Sequence, residues 1–105
     1  MRKIRVIIKR PDEEYGHVTS ISDSLKNLQN TVEGNIEIVP IAEGIVMIVN
    51  EEGKLMDLEK NFVFGYTIKD MIRGTVIIAG TAGEELADLS MSFRTWKKLL
   101  ADWGN

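Results

Sequence analysis

Four short stretches of this chain hold residue types that could do chemistry. His17 has Ser20, Ser22 and Asp23 close behind it, the members of a nucleophile–base–acid triad. Such a triad works only when the three converge in space, and closeness in sequence does not supply that. Asn50–Glu59 carries acids and a glycine at spacings that invite a calcium test. With Gly53 at loop position 6 and Glu59 at position 12, an EF-hand would place Ile48 at position 1, where a carboxylate ligand is required. Gly80-Thr-Ala-Gly83 resembles a fragment of a phosphate loop, but Glu84 and Glu85 follow at once and would repel an anion. Glu51-Glu52 is a carboxylate pair, and neighbours along a strand point to opposite faces. With one histidine and no cysteine, only carboxylates could hold a metal. No metal and no cofactor is expected, and the turn readings of both glycine-containing stretches are preferred.

The remaining candidates are surfaces. Trp96 and Trp103 share a face of a C-terminal helix, with Phe93 and Met91 broadening it. Packing against a sheet is the first reading of that face; a partner or dimer surface is the second. The candidate protein interface is therefore Glu51, Glu52, Phe93, Trp96 and Trp103. A nucleic-acid surface would instead use Arg2, Arg5, Lys9, Arg10, Lys97 and Lys98. The alternation Phe62, Phe64, Tyr66 would supply stacking aromatics on one face, though without basic neighbours.

The elements that must position these residues follow from periodicity. Residues 3–9 alternate apolar and charged around Ile4, Val6 and Ile8, which predicts a half-buried strand, with Ile7 facing a second layer. Pro11–Gly16 is a turn cluster, and His17–Ile21 returns as the second strand of a hairpin. Ser22-Asp-Ser24 offers a helix N-cap. Leu25, Leu28 and Val32 form one apolar stripe, and Gly34 is placed to end the helix. Asn35–Ile41 and Ile45–Asn50 read as strands joined at Ala42-Glu-Gly44. In the first, Ile36, Ile38 and Ile41 are the inward set, and Pro40 marks an edge or a bulge. The second is apolar throughout and should be covered on both faces.

Asn50-Glu-Glu-Gly53 predicts a hairpin turn, with Lys54-Leu-Met56 as a candidate return strand and Asp57–Asn61 as a turn. Residues 62–71 fit either an alternating strand or an irregular loop. Gly74–Ala79 is a strand, Gly80–Gly83 a turn, and Ser90 the cap of a final helix whose stripe is Trp96, Leu99, Leu100 and Trp103, ended by Gly104. The expectation is one small α+β domain spanning residues 1–105, with a largely antiparallel sheet and two short helices, in the order β-β-α-β-β-β-α.

Composition narrows the function classes. The 105 residues are 44% hydrophobic and 28% charged, which suits one folded domain rather than a disordered chain. The net charge of −3 is uneven: residues 1–10 sum to +5 and residues 90–105 to +2, while the stretch between them is acidic. An acidic middle disfavours non-specific binding to phosphate backbones, unless the basic ends meet in one patch. The basic, apolar N-terminus is too short in its apolar run for a signal peptide, and Ile45–Val49 is far short of a membrane span. A soluble, cytoplasmic protein is expected.

Leu28-Gln29, Val32-Glu-Gly34, Ile36-Glu-Ile-Val-Pro40 and Val49-Asn-Glu-Glu-Gly-Lys-Leu55 follow one another, and Leu58, Asn61 and Gly74-Thr-Val76 come after them. Across most of the chain this pattern resembles a domain-of-unknown-function family of small proteins from phages, plasmids and conjugative elements of Firmicutes. The resemblance implies a mobile-element accessory protein. It implies no activity and carries no catalytic or binding residue across. The family often has prolines between the positions of Leu58 and Asn61, where this chain has Glu59 and Lys60, which predicts a more helical loop here. Three readings stand at this point: a non-enzymatic module that binds a protein partner, with a homodimer among the options; a nucleic-acid-binding accessory; and a hydrolase built on His17 or a carboxylate pair, which would need a pocket with perturbed acids.

Overall fold

The alternation of Lys3–Lys9 sends its residues to two opposite sides of a strand, and both sides are covered. The computed structural model describes residues 2–105. Strand β1 (Lys3–Lys9) pairs antiparallel with β2 (His17–Ser22), and helix α1 (Leu25–Val32) follows. Next come β3 (Ile36–Ala42), β4 (Ile45–Asn50), β5 (Lys60–Phe64), β6 (Asp70–Arg73), β7 (Val76–Ala82), β8 (Glu85–Ala87) and helix α2 (Phe93–Asp102). One antiparallel sheet runs β2-β1-β7-β4-β3, with β8 also on β7, and β5–β6 form a separate hairpin. The α+β class and the two helices agree with the periodicities. The expected order lacks β5 and β6, which fall in the stretch left open between strand and loop, and β8, a three-residue strand returning from a tight turn.

The sheet is the middle of three layers. Ile4, Val6 and Ile8 join Val46, Ile48 and Ile77 under Leu28 and Val32 of α1. Ile7, Met47, Val49, Val76 and Ile78 face the other way, against Trp96, Leu100 and Trp103 of α2 and Phe62 of the hairpin. β4 is buried on both faces, as an uninterrupted apolar run requires. β3 lies at the sheet edge and carries a bulge between Pro40 and Ala42, so Pro40 fulfils both of its expected roles.

Several local expectations are corrected. Leu25 is exposed, because it lies on the first turn of α1, beyond the buried stripe of Leu28 and Val32. The left-handed residue ending α1 is Glu33 (φ 66°), not Gly34. Gly34 is there for space: a Cβ would lie 2.6 Å from Asn50 Nδ2. Ile38 is exposed, since it sits on the α1 side of an edge strand that the helix does not reach; Val39 and Ile41 pack on the opposite face instead. Residues 51–57 form consecutive turns rather than a hairpin with a return strand, closed by Met56 N–H to Glu52 O at 2.8 Å and Leu58 N–H to Gly53 O at 3.0 Å. Gly53 does not take positive φ; Asp57 does. Glu59 leads directly into β5, which starts at Lys60, so the more helical loop expected there is absent. Residues 60–73 resolve into the β5–β6 hairpin. β7 continues through Gly80 to Ala82, and α2 is capped by Ser92, whose hydroxyl accepts from Thr95 N–H at 3.1 Å, not by Ser90.

Candidate functional site

The aromatic end of α2 is core. Trp96 and Trp103 are fully buried, their rings 6.0 Å apart at 79°, and Phe62 stacks on Trp103 at 6.0 Å. Phe64 meets Trp103 edge-on at 4.9 Å, and Trp96 Nε1 donates to Tyr15 O at 2.8 Å. A buried indole needs such an acceptor. Phe93 is half-buried, with the Lys97 ammonium over its ring at 5.6 Å. Of the five residues proposed for a protein interface, only Glu51 and Glu52 are exposed. Tyr66 turns to solvent beyond β5, so Phe62–Tyr66 is not a three-ring platform.

The basic residues are dispersed and engaged. Arg2 pairs with Asp23 and Glu85. Arg5 donates to the carbonyls of Leu89 (2.6 Å) and Met91 (3.3 Å), holding the segment before α2 against β1. Lys9 is buried, donating to Glu13 O at 2.7 Å and Asn61 Oδ1 at 2.6 Å; desolvation holds its ammonium below the usual lysine range, against the opposing pull of the Glu13 and Asp12 charges. Arg10 pairs with Glu13, and Lys97 covers Tyr15 and Phe93, leaving Lys98 exposed. Arg2 and Arg10 flank β1 at opposite ends, about 26 Å apart at strand rise, so these two N-terminal arginines do not share one patch.

The triad candidates also separate. His17 Nδ1 lies 2.8 Å from Glu13 Oε2, Asp23 is held by Arg2, and Ser20 and Ser22 lie on β2 opposite Arg5 and Lys3. Burial raises the Glu13 carboxyl, but the hydrogen bond from the Arg10 amide and the contacts from His17 and the Arg10 guanidinium together outweigh it, so the group sits below the ordinary glutamate value. The Asn50 side chain is engaged within the fold: its amide donates to Val32 O at 3.1 Å and accepts from Glu52 N–H at 2.7 Å. Among the described residues, no three His, Asp or Glu side chains converge where they could hold a metal, and no helix is long and apolar enough to cross a membrane.

What the fold does assemble is a cleft. It measures about 460 Å³ and opens between the free side of β3, the turns of residues 51–57 and the β5–β6 hairpin. Val39, Val49, Phe64, Met71 and Ile72 make it apolar. Glu37, Glu51, Glu52, Lys54, Asp70 and Arg73 give it a charged rim. Both rim cations are already neutralised, Lys54 by Asp70 and Arg73 by Asp57. Glu37, Glu51 and Glu52 form no ion pair among the described residues. Leu55 and Ile68 stand at the margins of this cleft, 85% and 89% exposed. The alternation of residues 62–68 includes Ile68, and Leu55 falls in the candidate return strand 54–56, but both sit in loops of the folded chain, so those periods do not mark them as exposed.

The class defined by these features is a small three-layer α+β domain with an open, acid-rimmed apolar cleft at one sheet edge. The chain belongs to the family described as domain of unknown function DUF3846, whose model matches residues 4–101. No curated protein and no solved structure matches it.

Proposed function

We propose that this protein is a non-enzymatic module that binds another protein through the cleft beside β3. The observation that carries the reading is the pair Leu55 and Ile68, nearly fully exposed on the cleft margins. A single exposed aliphatic residue is ordinary; two that flank an apolar concavity form a surface suited to a partner. The cleft's charged side chains include no nucleophile with a base beside it, which favours binding over catalysis. On the resemblance to proteins of phages, plasmids and conjugative elements, the partner is a host or element-encoded protein whose action this module modulates. Such a role belongs in the cytoplasm, where a chain without cysteine loses nothing.

Affinity capture from a host-type lysate tests this, with and without nuclease, using the wild type and a Leu55→Ser/Ile68→Ser double variant. The expected result is a protein band that survives nuclease and falls about tenfold with the variant, in line with the loss of two buried aliphatic contacts. Equal capture by both forms would overturn the reading. Material lost on nuclease treatment would transfer it to nucleic acid.

A further inference from the structure

Resting on that reading, we infer that the partner segment is an extended strand with alternating basic and aliphatic side chains, and that it adds to the open edge of β3. Glu51 N–H donates to Asn35 O at 2.8 Å, in register with the pairing of Ile36 to Asn50 and Glu37 to Val49. Hydrogen-bonded pairs alternate along an antiparallel ladder, so Asn35, Glu37 and Val39 bond to β4. The N–H and C=O groups of Ile36 and Ile38, and the C=O of Pro40, therefore face outward. Pro40 has no N–H to offer there, and the bulge follows it, so the pairing length available is Ile36–Val39.

Charge selects the occupant. A strand beside β3 places alternate side chains on the cleft face, beside Glu37 and Val39 and near Glu51 and Glu52. Arginine or lysine fits this face: the aliphatic stem lies on Val39 and the cleft floor while the head reaches the three unpaired carboxylates. The intervening side chains fall on the other face with Ile36 and the half-exposed Ile38, where aliphatic residues suit. A second copy of this chain fits less well in the register that uses both Ile36 and Ile38. The register that pairs Ile36 with the copy's Ile38 sets Glu37 directly against its own copy, and like charges directly opposite each other destabilise a strand pair.

The probe is a blocked peptide of three Arg-Val repeats, titrated into the labelled protein with hydrogen exchange read by NMR. The amides of Ile36 and Ile38 are expected to slow by roughly tenfold or more on saturation. Methylating the peptide nitrogens that face β3 should weaken binding by a similar factor, and replacing arginine by glutamate should abolish it. Shifts at Leu55 and Ile68 without protection of Ile36 and Ile38, or indifference to N-methylation, would overturn strand addition while leaving cleft binding in place. No binding of the arginine peptide at low salt would also overturn it. Failure of the reading beneath it shows separately, as lysate capture that is unchanged by Leu55→Ser/Ile68→Ser.

Discussion

At the α2 end of the molecule, two tryptophans that could have met a partner are sealed in the core; at the cleft, two aliphatic residues in turns are left in water. The two sheet margins nearby differ in the same way. The outer side of β5 is closed by the Asn105 side chain, which accepts from Val63 N–H at 2.9 Å and donates to Val63 O at 2.8 Å, the two bonds a neighbouring strand would make. Among the described residues β3 pairs only with β4. A strong amphipathic stripe in a small domain is spent on its own core. The surface proposed for recognition is assembled from turns and an edge, where periodicity has least to say.

The contrast predicts opposite responses to substitution. Trp96→Ala should cost about 3–5 kcal/mol, because it empties a site packed by Phe62 and Trp103 and orphans the carbonyl of Tyr15. Chemical denaturation would register it as a lower midpoint at unchanged slope. A loss below about 1 kcal/mol would mean that the α2 face is looser than its burial implies, and would return it to consideration as a surface.

Gly34→Ala comes next, at about 1–3 kcal/mol. The new Cβ must displace Asn50, whose amide joins the end of α1 to the turn that carries Glu52. Gly34 tests the link between the two regions, because damage there should also shift the NMR signals of residues 51–57. Unperturbed signals would separate Asn50 from the shaping of the cleft.

The fold class and the two helices were legible because β1, β4 and both helices carry clear periods: alternating, uniformly apolar, or spaced by three and four. What was not legible has physical causes. Glu33 takes the left-handed position because Gly34 is claimed by Asn50, a contact 16 residues away that no local pattern records. β6 and β8 are too short to show a period, and the alternation that marks β5 runs on past Gly65 into the loop. Arg5, Lys9 and Arg10 look alike in sequence, yet Arg5 and Lys9 are structural donors to backbone and amide oxygens, and Arg10 sits in a surface ion pair. The cleft depends on the hairpin folding back over β4, which is a tertiary event.

Leu55→Ser/Ile68→Ser should change stability by no more than about 0.5 kcal/mol per site, since neither side chain is packed. That near-silence is the sharpest form of the comparison: the tryptophans carry stability, and the turn aliphatics are free for the proposed partner. A large loss of stability in this variant would make Leu55 and Ile68 structural and close the distinction.

The smallest effect concerns pH and belongs to the loop under α2. Glu13 sits below the ordinary glutamate value of 4.5 in the folded protein. In the window between its folded value and 4.5, the unfolded chain binds more protons than the folded one, so stability rises with pH there. The contribution is therefore present above 4.5 and is lost as pH falls through the folded value. Glu13→Gln removes that titration and should flatten the acid limb of a stability–pH profile while leaving the cleft acids untouched. Lys9, held below 10.5 by desolvation, has the same sign at the alkaline end: the folded state gains as pH rises toward 10.5, because the buried ammonium is then free to neutralise. Lys9→Met should remove that rise. If instead the alkaline limb keeps its slope in Lys9→Met, the buried ammonium is fully compensated by Asn61 and the Glu13 carbonyl, and the loop beneath α2 is held by hydrogen bonds rather than strained by a desolvated charge.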